Sequence, residues 1–519
     1  MMKQDESVLS EAVLPQNMPQ DELESAPSSS RPLSLWLLRA SVLLGFIALL
    51  YYLSWWLEGW LARWPALILV FLLALLYAGM QLVANWVLYV MVSRPRVTPT
   101  YPSQTSVDVF VTACGEPYTM VEGCLSAACA MRGEHHTWLL DDGADPGLAS
   151  LAERLGAGYL SRSEHLHAKA GNLNSALPRT KADILVIFDI DHVPTPDFLE
   201  KTVGFFNDPR VGFVQVMLTF SNRDQSWVAA SAVETSLDYY NPTSLGADGL
   251  GGTTMMGSNA LIRRKALEAI GGYQPGLAED LATSIALHAA GWHSVYVPEP
   301  LAPGIAPPDL AAWFTQQLKW ARGVFELLLT AYPRLFMRLT RGQRTSYAVR
   351  MTKYWIGPAV GFHLFATIGI LIWGDSVVRA AFHDYLRHIT PLAFSDVLIR
   401  FIALRIWQHR QIPRATLLRA ITLVYATWPI YMLAWFMALF RLPLSFRPTP
   451  KETSKRLHPI WLAPQLIAVS LLVAGMLYTI LVKGHPPSLL LMFASLQGLL
   501  QLSLLARWLS TPSNSPTAR

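Results

Sequence analysis

Charge is the scarcest resource in this chain. Asp, Glu, Lys and Arg make up 15% of its 519 residues, and 52% are hydrophobic. Ordinary globular chains carry about 25% charged residues, so a wholly water-soluble multidomain protein is excluded and much of the chain is expected in lipid. Cysteine is nearly missing too. The three present, Cys114, Cys124 and Cys129, form no CxxC pair. That excludes a disulfide framework or a cysteine zinc site and suits a reducing compartment, with Cys124 and Cys129 expected in core packing. The net charge of +5 is too small to say much by itself, and no nucleic-acid partner is expected. The first 31 residues lack the basic segment and apolar core of a signal peptide. They are polar, acidic and rich in Ser, Pro and Gln, and read as a disordered tail.

What is abundant is long uncharged apolar sequence. Crossing a bilayer takes about 20 such residues, and 40–57, 64–93, 354–374, 457–482 and 486–506 qualify. Two further segments are ambiguous: 389–407 holds Asp396, Arg400 and Arg405, while 420–440 is uncharged but carries Pro429. Basic residues next to spans mark the cytosolic side. Arg94 and Arg96 follow the second span, and Arg338, Arg341, Arg344, Arg350 and Lys353 precede the third, so 98–350 is expected in the cytosol. Arg441, Arg447, Lys451, Lys455 and Arg456 mark a second cytosolic stretch. An even number of crossings then lies between 353 and 441. Placing 389–407 across the membrane and 420–440 in the interface strands fewer arginines than the reverse. The expected layout is six spans with both termini cytosolic. Asp396 and Arg400, i and i+4 inside a span, are expected to face a pore or each other.

From residue 106 the pattern changes to short β-rich runs (107–112, 137–140, 184–188, 213–216) alternating with helical stretches (121–131, 147–155, 197–207). Such alternation predicts a mostly parallel α/β sheet with ligands at the carboxyl ends of its strands. Acidic motifs fall at two of those ends, Asp141-Asp142-Gly143 and Asp189-Ile190-Asp191-His192. Carboxylates at i and i+2 past a strand can share a divalent ion, which neutralises a diphosphate leaving group. A lone DxD is equally a solvated turn, so the surroundings must decide.

Those surroundings are VDVFVTACGEP at 107–117, LDDG at 140–143, HAKAGNLN at 167–174, FDIDHVP at 188–194, GSNA at 257–260, AED at 278–280, QQLKW at 316–320 and FRPTPK at 446–451. In this order they resemble the processive family 2 glycosyltransferases, in particular the catalytic subunit of bacterial cellulose synthase. The resemblance implies a GT-A (Rossmann-like) α/β domain set between transmembrane helices. It implies that Asp141, Asp142 and Glu116 serve the nucleotide end of the donor and that Lys169 meets its diphosphate. Gln316 and Lys319 complete the donor site. Asp189 and Asp191 would hold Mg²⁺ or Mn²⁺, with His192 a further ligand. Asp280 would be the general base toward the acceptor hydroxyl, and Trp320 would stack on the acceptor sugar. Phe446, Thr449 and Lys451 would belong to a gating loop over the nucleotide. Asp280 also opens a predicted helix at 281–290, where amide dipoles favour its ionised form.

Departures from the family pattern are Cys114-Gly115 for Tyr-Asn, Ala278 for Thr, Lys319 for Arg and Pro448 for Val. Lysine keeps a cation but cannot grip phosphate bidentately. Together the departures suggest a branch distinct from standard cellulose synthases.

The expected layout is a tail at 1–31, two spans in 32–97, the GT-A domain at 98–304 and interfacial helices at 305–350. Two spans in 351–410, an interfacial helix and gating loop at 411–456, two spans in 457–509 and a tail at 510–519 follow. Trp313, Phe314 and Trp320 lie on a helix expected along the membrane surface, the first two as interfacial anchors. The implied activity is polymerisation of a UDP-sugar, UDP-glucose into a β-glucan first, with export of the polymer through the protein's own channel in the plasma (inner) membrane. Partners are the nucleotide sugar, the growing polysaccharide and the bilayer, with room for accessory export subunits. A hyaluronan, chitin or mannan synthase would share most of these motifs. A non-processive transferase with a lipid acceptor and an inactive membrane scaffold are the other readings. No PilZ-like segment follows the last span, so control by cyclic di-GMP through one is not expected.

Overall fold

The computed structural model describes residues 31–58, 65–92, 99–101, 105–373, 382–408, 418–445, 448–451, 457–484 and 488–510. Nine strands occur among them: β1 (Val107–Ala113), β2 (His136–Asp141), β3 (Gly158–Ser161), β4 (Ile184–Asp189), β5 (Val211–Val216), β6 (Thr219–Phe220), β7 (Ala260–Arg263), β8 (His293–Val297) and β9 (Pro303–Gly304). Seven form one sheet in the order β3-β2-β1-β4-β7-β5-β8, and β6 pairs with β9 apart from it. Only β7 runs antiparallel within the large sheet. The central strands β1, β4 and β5 are near-continuous apolar runs buried on both faces, as parallel strands covered by helices must be. One core packs Val109, Val111, Val186 and Phe188 against the helix Tyr118–Cys129, and Cys124 is buried there. Phe110, Leu185, Ile187 and Leu173 form the core on the opposite face.

The four strands foreseen in the sequence are present. Five short ones, β3, β6, β7, β8 and β9, were not foreseen. The segment 197–207, expected as a helix, is turns ending in a short 3-10 helix, Val203–Asn207. Its start is tied down by Thr195, whose N–H donates to Leu301 O and whose hydroxyl donates to Asp197.

Five described helices are long and apolar enough to cross a membrane: Leu33–Trp56, Leu72–Val90, Arg341–Trp373, Pro459–Leu481 and Ser488–Leu509. Leu418–Ala426 and Trp428–Leu439, bent by 44° at Thr427, pass only as a joined pair. Phe382–Trp407 carries too much charge to pass on composition, yet it packs along the helix Arg31–Glu58. His388 stacks on Tyr51 (ring centroids 4.4 Å apart), and Leu392 and Ile399 join Val42 and Trp86 in one cluster. Its last turns reach the α/β domain, where Arg400 pairs with Asp238 at 3.4 Å. Phe382–Trp407 thus packs beside a candidate span without being apolar enough to count as one itself.

The bent pair instead lies on the helix Leu310–Leu329. Trp313 Nε1 donates to Thr427 Oγ1 (2.9 Å), and Tyr431 donates to Gln317 (3.0 Å). Trp313 and Phe314, expected as interfacial anchors, are instead buried against Leu423, Ala426 and Ile430. Of the two expectations for Asp396 and Arg400, a pore or each other, the structure shows the second. Asp396 accepts from Trp86 Nε1 (2.9 Å) and Arg400 Nε (2.8 Å), and Arg400 also donates to Tyr89. The pair ties its helix to the second span and the α/β domain.

Candidate active site

The register of the sheet brings the acidic motifs together. Ala113 at the end of β1 stands opposite Asp141 on one side, and Thr112 stands opposite Asp189 on the other. The strand order reverses between β1 and β4, and such a switch point opens a crevice at the carboxyl edge. β7 runs the other way, so its first residue, Ala260, pairs with Ile187 and delivers 257–259 to the same crevice. Ser258 Oγ accepts from the Asp189 N–H at 2.9 Å. Gly257 has φ +88°, and a methyl group there would stand 3.8 Å from Asp189 Oδ2 and 4.0 Å from Asp280 Oδ2. These two carboxylates thus face one space across a glycine.

Asp189, Asp191 and His192 offer ligand atoms within 4.8 Å of one another. Both ring nitrogens of His192 are buried without a hydrogen-bond partner among the described residues, Nδ1 standing 3.6 Å from Asp191 Oδ1, a costly condition that a cation would relieve. Two hard carboxylate ligands with one imidazole suit Mg²⁺ or Mn²⁺. The donor set therefore fits the divalent ion implied by the motifs. Positive charge now comes from lysines. Lys169 Nζ donates to Asp189 and to Gly257 O (2.8 Å), and Lys451 Nζ donates to Asp191 Oδ2 at 2.6 Å. Burial alone would raise the Asp189 carboxyl, but Lys169 outweighs it and holds the group below its usual range. Asp191 is held well down, Lys451 and His192 overcoming its burial.

Lys169 owes its place to strained backbone. His167 and Ala168 both adopt left-handed φ, +62° and +43°, a cost that clusters at functional sites. The helix Ala168–Ala176 begins there. Asp280 is pushed up to about 8, by burial first and by the neighbouring Glu279 second. The helix dipole does not win here: the N-cap, Ala278, supplies no side-chain bond, and Asp280 Oδ1 accepts only its neighbour's N–H, that of Leu281 (2.7 Å). Burial also lowers Lys319 below its usual range, against the pull of Glu279.

The remaining foreseen residues divide. Glu116 accepts the Cys114 N–H, and burial raises its carboxyl. Asp142 pairs with Arg162 (Nη2 at 2.9 Å) and His165 (3.1 Å), and these partners lower it in spite of burial. Asp141 is 1% exposed and turned into the fold, accepting from Gly143 N (2.8 Å), Asp145 N (2.7 Å) and Tyr159 OH (2.8 Å). Its oxygens shape the turn that presents Asp142. Gln316 is buried and Trp320 is 37% exposed, both on Leu310–Leu329 and both lining a cavity. Thr449 is buried and Lys451 reaches the site, whereas Phe446 lies outside the described residues.

Sequence reasoning missed Arg162 and Glu279. Arg162 follows β3, a four-residue strand with little pattern of its own, and Glu279 was hidden beside the acid chosen as the base.

A sequence profile described as glycosyltransferase like family 2 matches residues 103–323. This region is a family 2 glycosyltransferase domain. The glycosyltransferase domain and its flanks are 31% identical over 339 residues to "Cellulose synthase 1" of Komagataeibacter xylinus, covering 63% of this chain and 22% of that protein. They are 32% identical over 295 residues to "Cellulose synthase catalytic subunit [UDP-forming]" of Pseudomonas fluorescens, covering 55% of this chain and 40% of that protein. The chain thus spans less than half the length of these relatives. Among solved structures, the mannosyltransferase PcManGT from Pyrobaculum calidifontis, in complex with GDP-Man and Mn²⁺, aligns with a TM-score of 0.53 at 16% identity. That alignment covers 72% of this chain and all of that one, and it shows the shared GT-A fold.

Proposed function

We propose that this chain is a processive, inverting hexosyltransferase that adds sugars from a UDP-sugar, UDP-glucose first, to a β-linked polysaccharide and leads the polymer through its own membrane channel. One observation carries the reading. A cavity of about 540 Å³ is lined both by Gln316, Trp320 and Tyr240 of the glycosyltransferase side and by Tyr52, Tyr385 and Phe493 of the membrane helices. Its wall is rich in tyrosine, tryptophan and phenylalanine, whose faces stack on sugar rings while leaving ring hydroxyls free. A soluble donor and a short acceptor need no such passage; a growing chain does.

In this reading Asp280 takes the proton from the acceptor hydroxyl, and its raised pKa suits a base working near neutrality. Trp320 orients the acceptor sugar at the cavity mouth. Asp142, Glu116, Gln316 and Lys319 hold the donor, with Asp141 positioning Asp142 through its turn. Asp189, Asp191 and His192 would hold Mg²⁺ or Mn²⁺, which when bound neutralises the diphosphate leaving group. Lys169 then stands beside that diphosphate, and the Thr449–Lys451 end of the gating segment covers the nucleotide. The layout is read as six spans in the inner membrane, with Phe382–Trp407 crossing and the glycosyltransferase domain and both termini cytosolic; the packing of Phe382–Trp407 along Arg31–Glu58 supports the crossing, and the basic residues beside the spans support the sidedness.

The test is purified protein in detergent with Mn²⁺ or Mg²⁺ and a panel of radiolabelled UDP- and GDP-sugars, followed by linkage-specific glycanases. A long polymer from UDP-glucose cut by a β-glucanase is expected. Polymer from another UDP-sugar changes the product named here, and label confined to a lipid fraction overturns processivity.

A further inference from the structure

Beside the large cavity lies a second, of about 150 Å³, between the second span, the helix Arg341–Thr352 and the glycosyltransferase domain. The two share Gln81, Asn85, Thr235, Tyr239 and Lys353, so the smaller is a side chamber of the larger. Its charge is unbalanced. Arg350 and Lys353 both line it, the guanidinium carbon 5.3 Å and the ammonium 4.7 Å from the centre of the Tyr239 ring. No carboxylate among the described residues forms an ion pair with either. Asp238 is the one acid in the wall, and it is already engaged: it accepts from Tyr89 OH and pairs with Arg400 at 3.4 Å.

Two donors in the wall are unused. Arg350 Nη1 and Thr243 Oγ1 are buried with no hydrogen-bond partner among the described residues, and Thr243 is only 8% exposed. Buried donors left in this state are costly, and for the two cations, Arg350 half-buried and Lys353 exposed to the cavity, a ring face replaces only part of what a counter-charge gives.

We infer that this side chamber is a binding site for a phosphoryl oxyanion. A planar guanidinium, a point-charge ammonium and a hydroxyl are the donors that phosphate takes. The volume admits one tetrahedral group with a few waters, since a water occupies about 30 Å³. Two sources share this chemistry, free phosphate and the headgroup of a membrane phospholipid. Thr253, Thr254 and Met256 form part of the wall, so an occupant would brace the segment that carries Gly257 between Asp189 and Asp280. The inference does not depend on which sugar is polymerised.

The experiment uses the whole chain in detergent with EDTA, which removes divalent ions that would draw phosphate to the catalytic carboxylates. Equilibrium dialysis with radiolabelled inorganic phosphate, in chloride at matched ionic strength, should show saturable binding. Thr243→Val, nearly isosteric, and Lys353→Met should each weaken it at least tenfold, and Lys169→Met at the catalytic site should leave it unchanged. Arg350→Met should abolish it; if that variant does not fold, the first two carry the result. A parallel arm uses mixed micelles containing dihexanoyl phosphatidic acid. Binding of phosphate alone identifies the free ion, and binding of the phospholipid alone identifies the headgroup. The inference is overturned if neither probe binds saturably, if binding is the same in Thr243→Val and Lys353→Met, or if Lys169→Met abolishes it.

Discussion

At the scale of single residues, the centre is a balance of acids and lysines at the carboxyl edge of one sheet. Asp280 is the sharpest case, because burial and Glu279 push it up to about 8. A base acts only when unprotonated, so the rate should climb as pH rises through that region, and Asp280→Asn should remove both the climb and most of the turnover. Loss of a general base costs about 10²–10⁴-fold, with nucleotide-sugar binding expected to persist. A mutant that binds donor poorly but turns over normally at saturation would make Asp280 a binding residue instead. Asp189→Asn should leave a folded protein without activity, and EDTA should do the same to the parent; full turnover in EDTA would refute the metal assignment. Trp320→Ala should stop polymer growth at near-parental donor affinity, whereas Lys319→Arg should be tolerated. Long polymer made by Trp320→Ala at the parental rate would reduce Trp320 to an interfacial anchor.

At the scale of elements, the decisive piece is β7 with the turn before it. Gly257→Ala would place a β-carbon at φ +88° between the Asp189 and Asp280 carboxylates, and left-handed backbone costs an L-residue about 1–2 kcal/mol. A lower melting temperature together with a loss of activity out of proportion to it is expected. A variant as active as the parent would show that the space between Asp189 and Asp280 is not used. β7 also marks what the sequence could and could not convey. β1, β2, β4 and β5 were legible as short apolar runs, two of which, β2 and β4, end in acidic motifs, and the candidate site was legible through the specific motifs that name its residues. β3, β7 and β8 were not, being four or five residues long and positioned by tertiary pairing rather than by pattern. The inward turn of Asp141 was hidden as well, because a motif conveys which acid is present but not which way it faces. Trp313 and Phe314 misled for a related reason. An aromatic pair near a membrane looks the same in sequence whether it meets lipid or, as here, the helix pair broken at Thr427.

At the scale of the whole molecule, composition and packing select different sixth spans. The joined pair Leu418–Leu439 passes on apolarity, while Phe382–Trp407 runs beside the first span. Cysteine accessibility decides between them. In intact cells, cysteines placed near Arg341 and Arg414 should resist a membrane-impermeant maleimide and one near Asp384 should react; labelling at 414 would assign the crossing to the pair. The cavity makes a second forecast. Ala359 is in its wall, so Ala359→Trp should narrow the passage, shorten the product and leave donor binding intact. Product of parental length would place the polymer's route elsewhere.

The bond from Trp86 to Asp396 closes a loop of 310 residues, and that fixes an order of events during synthesis. At translation rates of about 5–20 residues per second, the second span waits roughly 15–60 s for its partner to be made. Over about the last third of that interval, once residue 304 has been made, the glycosyltransferase domain can fold while Trp86 has an unsatisfied indole N–H and Asp238 lacks Arg400. The newborn chain is therefore a finished enzyme domain on an unfinished membrane anchor. Its half-life in that condition, and its need for insertases or chaperones, is set by how quickly a single late helix arrives.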